Sequence, residues 1–484
     1  MKKEINFLNE FMASLVVFLV ALPLCMGISI ASGVPPIYGI ISGIIGGIIV
    51  GALSGAPLQV SGPAAGLAVM VFDFVARYGL EALAPLGIFI GVFQILAYKF
   101  GLGVYFKAVS PALLKGLLVG IGGLIFSSQL FVGLDLNPVG TGVKNLIMFP
   151  ETFINNVINT KAALHPFLVC VGTLITIIAW GKIKFKFAKV LPAPLMGVIL
   201  SSAVCSFLGL NINYVSIPEN IMDGLNIISM KSFSNFTPAF ILACISIAFV
   251  ASVETLLCTN ATDVLSKSGS SDYNKEIMAQ GVGHVVAGIL GVLPITGVIV
   301  RSTANIESGA KTRISTVLHG LWLLLFVFVA SNVLELIPIS TLSAILLVVG
   351  YKLMDFSGVK KLVTSSKQNA FIFLTTITLI LSFDLMTGVI AGFGMSLIVL
   401  IKDLLNLDVK TEEEKISLKG NLTFLQIPKL NNHLSEIEKY DNAVVDLSEV
   451  EYIDQGANTE LNNWESIVKS QGKNVKLIRP KKAA

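Results

Sequence analysis

The chain has 484 residues, 54% of them hydrophobic and only 13% charged, with a formal net charge of +4 and a mean hydropathy of +0.81. A water-exposed surface is built with about 25% charged residues, so this composition excludes a soluble globular protein and fits a polytopic membrane protein. The net charge says little by itself, because its distribution is what matters; no nucleic-acid partner is expected, and no Walker lysine motif, Ser-His-Asp spacing or HExxH is present, which argues against ATP drive and against a membrane enzyme.

In chain order, fourteen apolar segments are predicted near residues 11–31, 36–55, 59–76, 84–99, 112–130, 163–180, 190–209, 238–258, 277–291, 298–307, 314–331, 338–352, 369–384 and 387–404. The first lacks the small-residue cleavage site of a secretory leader and runs straight on, so it is read as a span. In the second, Gly33, Gly39, Gly43, Gly46, Gly47, Gly51 and Gly55 favour close helix packing. The five cysteines (Cys25, Cys170, Cys205, Cys244, Cys258) all sit in apolar segments and are read as small buried hydrophobes. His165, His284, His319 and His433 are scattered, with no metal-ligand spacing.

Charge placement orients these segments. Lys99, Lys107, Lys115, Lys182, Lys184, Lys186, Lys189, Lys267, Lys275, Lys311, Arg313, Lys352, Lys360, Lys361 and Lys367 fall on the side of the N-terminus. Only Arg77, Lys144, Lys161 and Lys231 fall on the other. By the positive-inside rule both termini are cytoplasmic. Seven is odd, so segments one to seven and eight to fourteen have opposite orientation, which makes the expected fold an all-α inverted repeat of seven plus seven spans.

The third and tenth segments are interrupted in matching ways. The first break reads Ala56-Pro57-Leu58-Gln59-Val60-Ser61-Gly62-Pro63-Ala64-Ala65-Gly66 and the second Leu293-Pro294-Ile295-Thr296-Gly297-Val298-Ile299-Val300-Arg301-Ser302. Paired, broken segments at corresponding positions of two repeats are the sequence signature of a transporter's substrate site. The starts of two half-helices would aim backbone N–H groups and positive dipole ends at one point, which suits an anion. The alternative reading, that Pro and Gly merely kink ordinary helices, stays open at this stage.

Two ionisable residues sit deep in apolar sequence: Glu254 in the eighth segment and Arg301 in the tenth. Such residues cost about 2.5–3.5 kcal/mol or more to insert and mark function. Arg301 is expected to supply charge to the anion, and Glu254 to bind a coupling cation or proton, Na⁺ being one candidate. A buried Glu254–Arg301 ion pair is the structural alternative. Ser61, Gly62, Ala64, Thr296, Gly297, Val298 and Arg301 form the expected substrate-binding set. Glu254, Thr255, Cys258 and Thr296 form the cation-coupling set, with Thr259 and Asn260 as further neutral oxygens. Ser61 and Thr296 are expected to cap their half-helices, and Gly62 and Gly297 to let a ligand reach the main chain.

After Leu404 the composition turns polar. Residues 1–406 are assigned to the membrane, with repeats at about 11–210 and 237–404, residues 407–414 to a charged linker, and 415–484 to a small cytoplasmic α/β domain. Within it, Ile416–Leu418, Leu422–Ile427, Ala443–Leu447 and Val475–Ile478 read as strands, and Pro428–Glu438 and Thr459–Ser470 as helices.

These motifs resemble the SulP family of inorganic anion transporters, which is related to the animal sulfate and chloride/bicarbonate exchangers. The resemblance lies in Leu22-Pro23 with Ile28 through Gly39, in Val60-Ser61-Gly62-Pro63, in Glu254-Thr255-Leu256-Leu257, and in Gln280-Gly281 with Gly291 to Pro294 and Arg301 to Asn305. The tail stretch Val444 to Val450 with Tyr452-Ile453-Asp454-Gln455-Gly456 is similar to the STAS domain that closes this family, with Gln455 where phosphorylated relatives carry Ser or Thr. The resemblance implies core and gate domains, a homodimer in the bacterial plasma membrane, elevator-like motion, and a possible cytoplasmic partner for the tail. It further implies secondary active transport, of bicarbonate by Na⁺ or H⁺ symport as the first reading. A sulfate permease or anion exchanger is the alternative, and a nucleobase carrier of the same fold or a passive anion channel comes after that. Sodium-coupled cyanobacterial bicarbonate carriers have Asp where this chain has Glu254.

Overall fold

A computed structural model describes residues 7–103, 110–183, 191–216, 225–228, 237–266, 271–404, 407–423 and 426–479. Of the predicted features, Lys107, Lys184, Lys186, Lys189, Lys231, Lys267, Phe424 and Leu425 lie outside the described residues. The chain divides into two compact units, residues 1–392 and 393–484.

In the first unit, long apolar runs become long helices. α1 spans Phe7–Ala31 and α2 Pro36–Leu53. The strand β1 follows at Ser61–Pro63, leading through a single tight turn (Ala65–Leu67) into α3, Ala68–Tyr78. The repeat continues with α4 (Leu83–Lys99), α5 (Pro111–Val132), α6 (Gly142–Phe153), α7 (Leu164–Lys182) and α8 (Ala193–Leu208). The second repeat comprises α9 (Pro238–Ser266), α10 (Tyr273–Leu290), the strand β2 (Ile295–Gly297) and α11 (Ile299–Glu307). It is completed by α12 (Ile314–Leu334), α13 (Ile339–Met354), α14 (Phe356–Ser365), α15 (Lys367–Ser382) and α16 (Leu385–Leu404). Pro36, Pro111 and Pro238 open their helices, where the missing N–H has no intrahelical partner to lose. Every expected span contains a helix, the third opening with the strand β1. The additional α6 and α14 are short and amphipathic, so a search for spanning length passes over them.

The duplication shows in the packing. α4 lies along α10, and its counterpart α12 along α2; α1 packs on α12, and α9 on α4; α7 packs on α13, and α15 on α5. Small residues bring α4 and α10 together: a Cβ on Gly87 would stand 2.6 Å from the Gly288 Cα. One group of helices (α1, α2, α4, α9 to α12) surrounds the two strands, and a second (α5, α7, α8, α13, α15) packs among itself.

The second unit holds a four-stranded sheet: β3 (Leu407–Glu412), β4 (Lys415–Leu422), β5 (Asn442–Ile453) and β6 (Asn474–Ile478), in that spatial order. β3 and β4 run antiparallel, and β4, β5 and β6 parallel. α17 (Ile427–Ile437) and α18 (Gln455–Ser470) supply Leu430, Leu461 and Trp464 to a core with Leu418 and Val445. Two expectations are corrected. Leu407–Glu412, taken as linker, alternates well enough to pair as an edge strand with Lys415–Leu422. Leu422 ends β4, and Gln426 and Ile427 already turn into α17 with Pro428 in its first turn, so the described residues of that stretch beyond Leu422 hold no strand.

Candidate functional site

The two breaks meet. Ser61 pairs with Gly297, Gly62 with Thr296 and Pro63 with Ile295, forming an antiparallel ladder that is buried throughout. The Val298 N–H adds a bond of 2.9 Å to the Val60 carbonyl. Extended chain inside a hydrophobic unit must satisfy its backbone groups internally, and each break does so on the other. The ladder is so short that the two half-helix starts are separated by a distance on the order of 10 Å.

Arg301 sits in the first turn of α11 and is 0% exposed. Its guanidinium returns toward β1: a Cβ on Gly62 would collide with Arg301 Nη1. Cys25 and His319 lie beside it. Apart from a contact with the Cys25 thiol, its Nε, Nη1 and Nη2 have no hydrogen-bond partner, and no carboxylate among the described residues pairs with it. The Glu254–Arg301 ion pair is therefore not formed.

Glu254, on α9, stands at the other half-helix start. Its carboxylate accepts the Gly66 N–H, and a Cβ on Gly66 would come within 2.7 Å of Oε2. Oε2 itself is buried without a hydrogen-bond partner. A fixed carboxylate thus occupies the positive end of the first half-helix. The orphaned oxygen is what a bound cation or proton would satisfy.

The remaining predicted residues divide. Thr255 Oγ1 accepts the Gly297 N–H at 3.2 Å, tying α9 to β2. Cys258 Sγ lies 3.5 Å from Ser302 Oγ, which in turn accepts the Val60 N–H at 2.9 Å. Ala64 is buried, and Val298 is the N-cap residue of α11. Thr259 Oγ1 donates to Gln59 at 2.8 Å, whereas Asn260 is exposed. Ser61 and Thr296 do not cap their half-helices. Ser61 Oγ accepts Gln280 Nε2 at 2.7 Å, and Thr296 Oγ1 reaches only the Gly297 carbonyl at 3.5 Å. Both lie on the strands before the helix starts, too early to reach the first-turn N–H groups. Gly297 adjoins not open space but the Gln59 amide, which a Cβ there would strike.

The sequence reading did not place Gln59, Glu276, Gln280 and His284 in the buried hydrogen-bond network around the two strands. His284 Nε2 accepts the Ile295 N–H at 3.1 Å, and its Nδ1–H bonds the Gln280 carbonyl at 2.9 Å. The signal was available: Glu276, Gln280 and His284 stand at i, i+4 and i+8, a polar stripe along one face of an otherwise apolar helix.

Beside the first break, a cavity of about 460 Å³ is lined by Ser54 to Leu58, by the basic Lys275, Lys311 and Arg313 and by the acidic Asp263 and Asp272.

Comparison with known proteins adds identity to geometry. The Sulfate permease family profile matches residues 7–376. YvdB of Bacillus subtilis, provisionally named a sulfate transporter, is 27% identical over 95% of this chain and 88% of its own length. The bicarbonate transporter BicA of Picosynechococcus is 24% identical over 83% of this chain and 71% of its own. In fold, the murine anion transporter Slc26a9 superposes with a TM-score of 0.79 over 99% of this chain and 86% of that one, at 14% identity.

Proposed function

Because the chain belongs to the sulfate permease family, a family of membrane anion transporters and not of enzymes, we propose that it carries bicarbonate into the cell by symport with Na⁺ or H⁺. The observation that carries this reading is the fully buried Arg301 guanidinium, held against β1 beside the Cys25 thiol with no carboxylate to pair it. A buried cation without a partner is costly, and an anion resting on the ladder beside Ser61, Gly62, Thr296 and Gly297 would complete it.

Coupling follows from Glu254. While its carboxylate is charged, it cancels the field of the first half-helix and repels a second anion at close range. A Na⁺ ion or proton on Oε2 removes that repulsion, so each ion favours the binding of the other. Thr255 is fixed to β2 and Cys258 to Ser302, so both can support this arrangement without moving. The helix group carrying the two strands would slide as a body past the other group, in an elevator-like motion. The cavity lined by Lys275, Lys311 and Arg313 would then be the cytoplasmic approach. This reading places the protein as a homodimer in the bacterial plasma membrane, with both termini and the tail domain in the cytoplasm. The relatives named for sulfate make sulfate the second candidate.

The test is uptake of labelled bicarbonate into proteoliposomes with and without an inward Na⁺ gradient, then a proton gradient, with sulfate as competitor. Saturable uptake raised by one cation gradient and indifferent to sulfate is the expected result. Uptake of sulfate alone would transfer the site to sulfate, and a non-saturating conductance would replace the carrier with a channel.

A further inference from the structure

The mechanism above uses one of two carboxylates in this region. The other, Glu276 on α10, is 0% exposed. Every contact it makes is as an acceptor: from the Ser54 hydroxyl, from the Ala56 N–H at 3.2 Å, from Gln59 Nε2 at 2.9 Å and from Gln280 Nε2 at 3.0 Å. No Lys or Arg among the described residues forms an ion pair with it. At least four donors converge on its two oxygens, a set that suits a carboxylate and that an amide in its place could not accept in full.

This fixes the direction of two amides. Gln59 and Gln280 both turn their NH₂ groups to Glu276 Oε1. The Gln59 carbonyl oxygen is then left for the Thr259 hydroxyl at 2.8 Å, on the helix that carries Glu254. The Gln280 NH₂ also reaches Ser61 Oγ at 2.7 Å, on the anion strand. An unbroken chain of hydrogen bonds therefore runs from α9 through Gln59, Glu276 and Gln280 to β1.

We infer that Glu276 is a positioning residue which joins the cation side of the site to its anion side. By holding both amides in one orientation, it makes the placement of the Ser61 hydroxyl depend on the placement of α9. The inference rests on the proposed roles of Glu254 and the two strands, and it assigns Glu276 no contact with either ion.

The experiment uses the full-length protein in proteoliposomes, with bicarbonate and sulfate as labelled probes, comparing wild type with Glu276→Gln. A glutamine at 276 presents an NH₂ group to donors, so one of the two amides must turn or let go. The anion KM is expected to rise about tenfold with Vmax little changed, and its dependence on cation concentration to flatten. The exchange Gln59→Glu with Glu276→Gln restores a carboxylate opposite an amide and should recover much of the coupling. A Glu276→Gln protein with wild-type KM and wild-type cation dependence, or with only Vmax lowered, overturns the inference. Where Glu276→Gln does not fold, Gln280→Leu and Thr259→Val each cut one link, and wild-type cation dependence in both overturns it equally. Failure of the wild type to move either probe would sink the functional reading instead. Amide exchange over residues 54–64 then decides this one: Glu276→Gln should speed it about tenfold, and unchanged rates refute it.

Discussion

The two breaks are alike in backbone and opposite in charge. Each is a three-residue strand entering a short helix, and each hydrogen-bonds to the other. At the first, the half-helix start already holds a carboxylate, Glu254, through the Gly66 N–H. At the second, the half-helix carries its own cation, Arg301, in its first turn. Duplication supplies two matching breaks; on the proposed reading, the side chains would make one end attractive to an anion at all times and the other attractive only when a cation has arrived. In that reading, coupling would reside in the departure from symmetry.

The largest effect is expected from removing the charged end. Arg301→Met should lower anion uptake about 100-fold, the roughly 2.7 kcal/mol of a charged hydrogen bond lost from the site. Because the guanidinium pairs with no carboxylate and has only the Cys25 thiol as a weak partner, the variant should keep its melting temperature within a few degrees; a collapse of folding would make Arg301 structural. Next, Glu254→Gln should leave the protein folded and abolish the response of uptake to a cation gradient, since an amide neither needs nor binds the cation. Retained gradient-driven uptake would remove Glu254 from coupling. Gly62→Ala tests whether the two ends touch: its methyl displaces Arg301 Nη1, and overpacking of about 1–3 kcal/mol should raise the anion KM about tenfold with cation dependence intact.

The smallest effect lies in the tail, where a carboxylate is matched instead of left open. Asp446 accepts from Ser448 and pairs with Lys415 at 2.9 Å, which holds its carboxyl near a pKa of about 2, below its ordinary 3.8. A depressed folded-state value means stability that is complete above pH 3.8 and is lost as pH falls toward 2. Hydrogen exchange of β5 in the whole protein should rise in that window, and Asp446→Asn should remove the pH dependence while costing little.

Much of this was legible in the sequence because the membrane imposes strict rules. Span lengths, charge asymmetry and the two Pro/Gly breaks fixed the repeat, and the positions of Arg301 and Glu254 followed from their isolation in apolar runs. What was not legible depends on partners distant along the chain. Ser61 was read as a cap from its neighbours, yet its partner Gln280 is on another helix. Leu407–Glu412 was read as linker from its charges, yet half of an edge strand faces water and tolerates them. The orientation of Gln59 is decided by Glu276, which stands 217 positions away; no local pattern encodes it.

The ladder between Ser61–Pro63 and Ile295–Gly297 also bears on origins. A half-length ancestor carrying one break would leave a row of backbone amides and carbonyls open to hydrocarbon, at several kcal/mol for each. Only an oppositely inserted second copy could close it. The broken helix and the doubled chain are therefore structurally interdependent: each break is satisfied only by the oppositely oriented copy of itself.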